Sequence, residues 1–372
     1  MSKQRIAEIE IARGTAILCV LLIHGTSAAL SDLSVDSPAH AFYFLVNRLS
    51  CFAVPAFVLY SGIVFFYRNF DGWNGRQLIP FYKRRIVSVL VPYIAWTCIY
   101  HYMNIGLGYG TEWASLREVA LALATGSTMY HLYFAVLIMQ YYILAPALLA
   151  FAAACKRGFY WLLGAAFAVQ WGFGYWIAMR HPALDKSFLS STYLVAFVCG
   201  CWIGRRYDAF ERWLDKRANL LFAVVPIASA AFAALQLAER YTGFQPNRTL
   251  SEAIVHGFCI VTAVFLPYVW RKLQYVPVAA FLRYIGIYSF GIYLIHPAVM
   301  AVYDHYVHIP ASSTWYHIGI ALKIVVIACI PMLLIAAVQS FPWSWILFGA
   351  LPRRKKVPER VSEATKPYAP GG

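Results

Sequence analysis

Charge is scarce in this chain: 13% of its 372 residues are Asp, Glu, Lys or Arg, against 61% hydrophobic residues. That balance excludes a water-soluble domain of this size, whose core would be flanked by polar faces at helical or strand period. Acidic residues are the scarcest, 16 against 31 Lys and Arg. The resulting +15 is spread over alternate short loops and concentrated on no one face, which argues against nucleic acid as a partner. The eight cysteines form no C-x-x-C pair and lie in apolar runs or at their ends, so neither a disulfide framework nor a metal site is expected. The apolar runs lack the alternation of a barrel strand. No internal repeat of the kind that marks many transporters is visible. No small-residue cleavage site closes the first apolar run, which is expected to be a retained span and not a signal peptide.

What the chain has instead is apolar runs of about 20 residues between short charged loops, the length that carries an α-helix across a bilayer. The reading is an all-α, polytopic integral membrane protein with about ten spans, near residues 12–30, 42–66, 86–106, 131–153, 158–178, 189–204, 219–238, 251–270, 284–303 and 316–340. Residues 116–124 are too short to cross and read as an interfacial or re-entrant helix. Cytoplasmic loops accumulate Lys and Arg. With both termini cytoplasmic, 24 of the 31 fall on the inner side. One transmembrane domain over residues 1–345 is expected, followed by a basic, disordered cytoplasmic tail over 346–372 whose Arg353–Lys356 cluster lies against anionic lipid. The expected location is the cell inner membrane, and no second domain is visible.

Ionisable residues inside a span are costly and are functional candidates by default. The first span carries Glu10, Arg13 and His24 on one helical stripe, His24 eleven residues and therefore roughly 16 Å beyond Arg13. If Arg13 marks the inner interface, His24 lies near mid-membrane. Two readings stay open on spacing alone: a packing histidine above a surface ion pair, or a general base on a hydroxyl.

Five features belong together. Arg13, ten residues and His24 open the chain; Phe52-Ala-Val-Pro-Ala-Phe-Val-Leu-Tyr-Ser-Gly62 follows; then come Phe81-Tyr-Lys-Arg-Arg85 with Pro92-Tyr93, His131-Leu-Tyr-Phe134, and Tyr288-Ser-Phe-Gly-Ile-Tyr-Leu-Ile-His296-Pro297. In this order, over nearly the whole chain, they resemble membrane acyltransferase family three, whose members O-acylate sugars of bacterial polysaccharides and glycolipids. One position departs from the pattern. Where the family often has an Arg three residues after the one matching Arg85, this chain has Ser88, and Arg84 or Lys83 is expected to supply the charge.

The resemblance implies an enzyme that takes an acyl group, commonly acetyl, from cytoplasmic acyl-coenzyme A and delivers it to a glycan or glycolipid hydroxyl. Acyl-coenzyme A is then a substrate, and no bound cofactor is expected. His24 is the expected base, and at the inner mouth Glu10 is expected to orient Arg13 or to neutralise it when no donor is bound. Arg13, Lys83, Arg84 and Arg85 are the expected donor-phosphate ligands, with Lys83 to Arg85 as a plain topology anchor the alternative. His131, Tyr133 and His296 are expected at the outer ends of spans four and nine, bordering the acceptor entrance. A transporter or flippase of a polysaccharide precursor is the competing class, and the oligomeric state is open.

Overall fold

The structure, a computed structural model, describes residues 5–110, 112–154, 158–181 and 184–349. Lys3, Cys155, Lys156, Arg157 and the expected tail from 350 onward lie outside the described residues. Among the described residues every regular element is helical. In chain order the α-helices are α1 (Ala7–Ser27), α2 (Ala29–Asp32), α3 (Pro38–Leu49), α4 (Ala53–Asn69), α5 (Leu78–Arg85) and α6 (Val91–Gly106). Then come α7 (Leu116–Thr125), α8 (Tyr133–Ala154), α9 (Gly158–Ala168), α10 (Gly174–Arg180), α11 (Leu194–Arg205) and α12 (Tyr207–Lys216). The last six are α13 (Ala218–Tyr241), α14 (Arg248–Lys272), α15 (Pro277–Ile287), α16 (Ser289–Tyr306), α17 (Tyr316–Val338) and α18 (Ser344–Phe348).

Among the described residues, eight continuous helical segments are long and apolar enough to cross a membrane, and nine if the pair α15–α16, bent by 78° at Tyr288, counts as one span. The remaining expected span, 189–204, is α11. Its twelve residues rise only about 18 Å, short of a core of about 30 Å. It is sheathed by protein instead. Cβ atoms at Gly200 and Gly204 would overlap the carbonyls of Leu59 and Ile63 on α4, and one at Gly62 would overlap that of Phe197 on α11. Glycines at such spacing let two backbones touch, which replaces the lipid contacts that set the length of an exposed span.

Several of the expected spans are interrupted. The second breaks at a 3-10 turn, Ser50–Phe52, before α4. The third and fifth contain π-turns, Ile86–Leu90 and Val169–Phe173. The ninth bends because α15 is pinned to α1: a Cβ at Gly286 would overlap the Glu10 carbonyl, and one at Gly14 the Leu282 carbonyl. The short helix expected at 116–124 is α7. Ser115 Oγ accepts from Glu118 N–H while Glu118 Oε2 accepts from Ala114 N–H at 2.9 Å, a reciprocal cap close to the capping box. Gly126 ends it at φ +73°, and a Cβ there would overlap the backbone of Leu132 and Tyr133. That close return delivers His131 into the bundle. At the other end of the chain, α18 runs across the expected boundary at 345 and is tied to α6 by Trp96 Nε1 donating to Leu347 O at 2.9 Å.

Ion pairs gather residues of the basic loops at one end. Glu10 pairs with Arg283 at 2.9 Å and Arg5 at 3.3 Å; Arg271 pairs with Glu211 at 3.0 Å and Asp215 at 2.7 Å. Lys272 and Arg271 hold the Asp215 carboxyl below its ordinary range. The opposite helix ends carry Lys323–Asp304 and Lys186–Glu252–Arg248. A reporter active only in the cytoplasm, fused after Lys366, is expected to be on. Activity confined to the outer side would overturn the orientation.

Candidate active site

The site is built on α1, which is anchored where it matters. Asn47 Nδ2 donates to Ile23 O at 2.8 Å and Ser27 Oγ donates to His24 O at 2.7 Å, so the turn that carries His24 is held from α3 and from its own end. A cavity of about 120 Å³ runs along the inner face of α1 and is lined by both Arg13 and His24. Its walls are largely apolar, with Val20, Ile23, Val54, Phe57, Phe134 and Phe290; Tyr133, Ser289, Tyr293 and His131 add the polar groups.

Three histidines meet here. The His24 and His296 rings are 5.3 Å apart and the His131 and His296 rings 5.5 Å apart, with Tyr130 tilted against His24 at 4.8 Å. His24, expected near mid-membrane, and His131 and His296, expected at an outer entrance, are thus neighbours in one cluster. The fold-back after Gly126 and the bend at Tyr288 bring all three to one level. His131 is buried in the cavity wall and His296 is buried without lining the cavity, while His24 is partly exposed. His296 Nε2 and both nitrogens of His131 have no hydrogen-bond partner among the described residues. Tyr293 donates its hydroxyl to the His131 carbonyl, and Tyr133 lines the same cavity as Arg13.

Helix α16 is opened at this point. Pro297 removes one backbone donor, and the Tyr100 hydroxyl enters the gap: it donates to Leu294 O at 2.6 Å and accepts from Ala298 N–H at 3.2 Å. His296 is thus presented from a helix turn that α6 wedges open.

At the other end, Arg13 lies 5.9 Å from the Phe57 ring centre, and its Nε is buried without a partner. Glu10, expected to orient Arg13, spends its carboxylate on Arg283 and Arg5; it remains within electrostatic reach of Arg13 but forms no ion pair with it among the described residues. Arg85 turns inward from α5, 4.2 Å from the Tyr142 ring centre, and its Nε too is buried and unpartnered. Lys83 and Arg84 point to solvent. The charge that joins Arg13 and Arg85 in space is Arg68, at the end of α4 and within electrostatic reach of both. Position 88 is closed off instead, since a Cβ at Gly349 would overlap the Ser88 carbonyl. Sequence reading missed Arg68, Tyr100, Tyr130 and Asn47. Of these only Arg68, a basic residue closing the span that holds Pro55 and Ser61-Gly62, carried a visible signal. His101 stacks on Trp113 at 3.5 Å and His256 accompanies Gln170 at 3.4 Å, both apart from this cluster.

Residues 6–348 match the family described as "Acyltransferase domain". Curated proteins named "Probable poly-beta-1,6-N-acetyl-D-glucosamine export protein", from Staphylococcus aureus strains MRSA252, MSSA476 and MW2, are each 21% identical over 340 residues, covering 87% of this chain and 91% of their own. No solved structure gives a significant match.

Removing the Tyr100 hydroxyl as Tyr100→Phe leaves a buried carbonyl and amide unpaired, and is expected to cost about 1–3 kcal/mol. Thermal unfolding of the purified protein reads this. Unchanged stability would mean that α16 closes the gap with its own backbone bond.

Proposed function

Because the chain belongs to acyltransferase family three, as the match over residues 6–348 establishes, we propose that this multi-pass membrane protein moves an acyl group from cytoplasmic acyl-coenzyme A to a hydroxyl of a cell-surface polysaccharide or lipid-linked sugar in the cell inner membrane. Acetyl is the proposed group. The observation that carries the reading is one cavity lined at one end by Arg13 and at the other by His24. A guanidinium in an apolar wall without a carboxylate of its own favours an anion, and Arg85 and Arg68 beside it extend the cationic mouth. In this reading they hold the donor's phosphates by charge-assisted bonds, Lys83 and Arg84 attract it from solvent, and its flexible arm follows the cavity to His24.

At His24 the acceptor hydroxyl loses its proton to the imidazole as its oxygen attacks the thioester carbonyl. The carbon–sulfur bond then breaks, and the imidazolium returns the proton to the departing thiolate. Such proton transfer contributes typically about 10²–10⁴-fold in rate. His131 and His296, buried and electrically neutral in this scheme, shape the pocket around His24, Tyr133 lines the path of the acyl chain, and Glu10 fixes the α1–α15 junction through Arg283.

The printed name of the relatives supplies the second reading, export of a polysaccharide. Radiolabelled acetyl-coenzyme A offered to purified protein with a panel of glycans separates the two, because only an acyltransferase places label on glycan. Well-folded His24→Gln protein is expected to bind acyl-coenzyme A and to lose transfer by about 10²-fold or more. Near-wild-type turnover would remove His24 as the base.

Arg85→Ala should weaken donor binding by about 1.5–3 kcal/mol per lost charge-assisted bond, roughly 10- to 150-fold, and Arg84→Ala far less. Equal effects, measured as apparent affinity for acyl-coenzyme A, would return both residues to the role of topology anchors.

A further inference from the structure

A second and larger cavity, about 430 Å³, opens among the end of α1, α2, α16 and α17, within the roughly 300–1,000 Å³ range of ligand pockets. We propose that it is the acceptor subsite and that it admits a sugar unit without acidic groups; the assignment as acceptor rests on the acyltransferase reading above.

Its position is close to the reacting centre. Ala28, in its wall, caps α1 four residues after His24, and Tyr130, tilted against His24 with ring centres 4.8 Å apart, lies within electrostatic reach of Asp304 in the same wall. Its chemistry is that of a polyol site. Lys323 projects from α17, whose apolar window is the most hydrophobic of the candidate spans at mean hydropathy 2.7. An ionised group there is costly unless it is paired and used. Lys323 is 7% exposed, pairs with Asp304 at 2.6 Å and lies 5.8 Å from the Tyr303 ring centre. Across the cavity Tyr316 donates to Asp32 at 2.7 Å. The donors and acceptors needed to grip vicinal hydroxyls are therefore held in place beside an aromatic ring on which a sugar face can rest.

The sign of the site follows from the same residues. Asp32 and Asp304 against Lys323 leave one carboxylate in excess in the cavity wall. A uronic or otherwise anionic sugar meets repulsion, whereas a neutral sugar keeps its hydrogen bonds. The polarity is opposite to that of the Arg13–Arg85–Arg68 mouth, so an anionic donor and a non-acidic acceptor are sorted to different openings.

Equilibrium binding of labelled sugars to the full-length protein in detergent micelles tests this without requiring turnover. The probes are an N-acetylglucosamine trimer and a galacturonic acid trimer. The neutral trimer is expected to bind at least about 10-fold tighter than the acidic one. Asp304→Asn should weaken the neutral trimer by about 10-fold, and Asp32→Asn, a gentler change at an exposed position, should narrow the preference to about 3-fold or less. Equal binding of the two trimers, binding of neither, or an unaltered preference in both aspartate variants with native thermal unfolding would overturn the proposal. Label transfer from acetyl-coenzyme A is scored separately: sugar bound with the expected selectivity but never labelled sinks the acyltransferase reading and leaves this site standing as a sugar site.

Discussion

The backbones of α1 and α15 touch at Gly14 and Gly286, and the histidine cluster depends on that contact. With no Cβ on either residue, the two helices approach until each would collide with the other's carbonyl. The contact fixes α15, the 78° bend at Tyr288 then sets the direction of α16, and α16 brings His296 to within 5.3 Å of His24. Glu10, whose carbonyl faces Gly286, tightens the same junction through its ion pair with Arg283. A larger side chain at either glycine would separate the helices and move His296 away from a ring it must adjoin.

Placing basic side chains in an apolar bundle is costly, and the fold manages it with aromatic faces where carboxylates are few. Arg13 lies over Phe57, and Arg85 over Phe81 and Tyr142. Such contacts leave the guanidinium donors free, which a carboxylate partner would not. At the other end Lys323 has both an aromatic neighbour and a carboxylate, so its charge is balanced and its hydrogens are shared. Among the described residues, aromatic rings flank the cations at one end, and a carboxylate pairs the cation at the other.

Interruptions in the helices supply the polar groups that straight spans would hide. The Tyr100 hydroxyl occupies a gap beside Pro297, and the Gly126 turn lets a loop carrying His131 enter between helices. In each case the exposed backbone groups are satisfied within the protein, the condition that lipid imposes on any irregular segment at membrane depth.

The class of the molecule and its membership of one membrane family were legible along the chain, because apolar length, charge bias and the Arg13–His24 spacing are local properties of consecutive residues. The helix at 116–124 was legible for the same reason, as an apolar run too short to cross. Straightness was not legible: a broken span and a continuous one have the same hydropathy, so the short buried α11 and the bend at Tyr288 looked like ordinary crossings. Nor were the companions of His24. Hydropathy placed His131 and His296 at helix ends, and only the packing of glycines far apart in sequence brought them to its side. Arg68 beside Arg13, and Lys323 facing Asp304 and Asp32 across a cavity, were settled in the same way, since which polar groups meet inside a bundle depends on where its helices break and touch, and no local pattern encodes that.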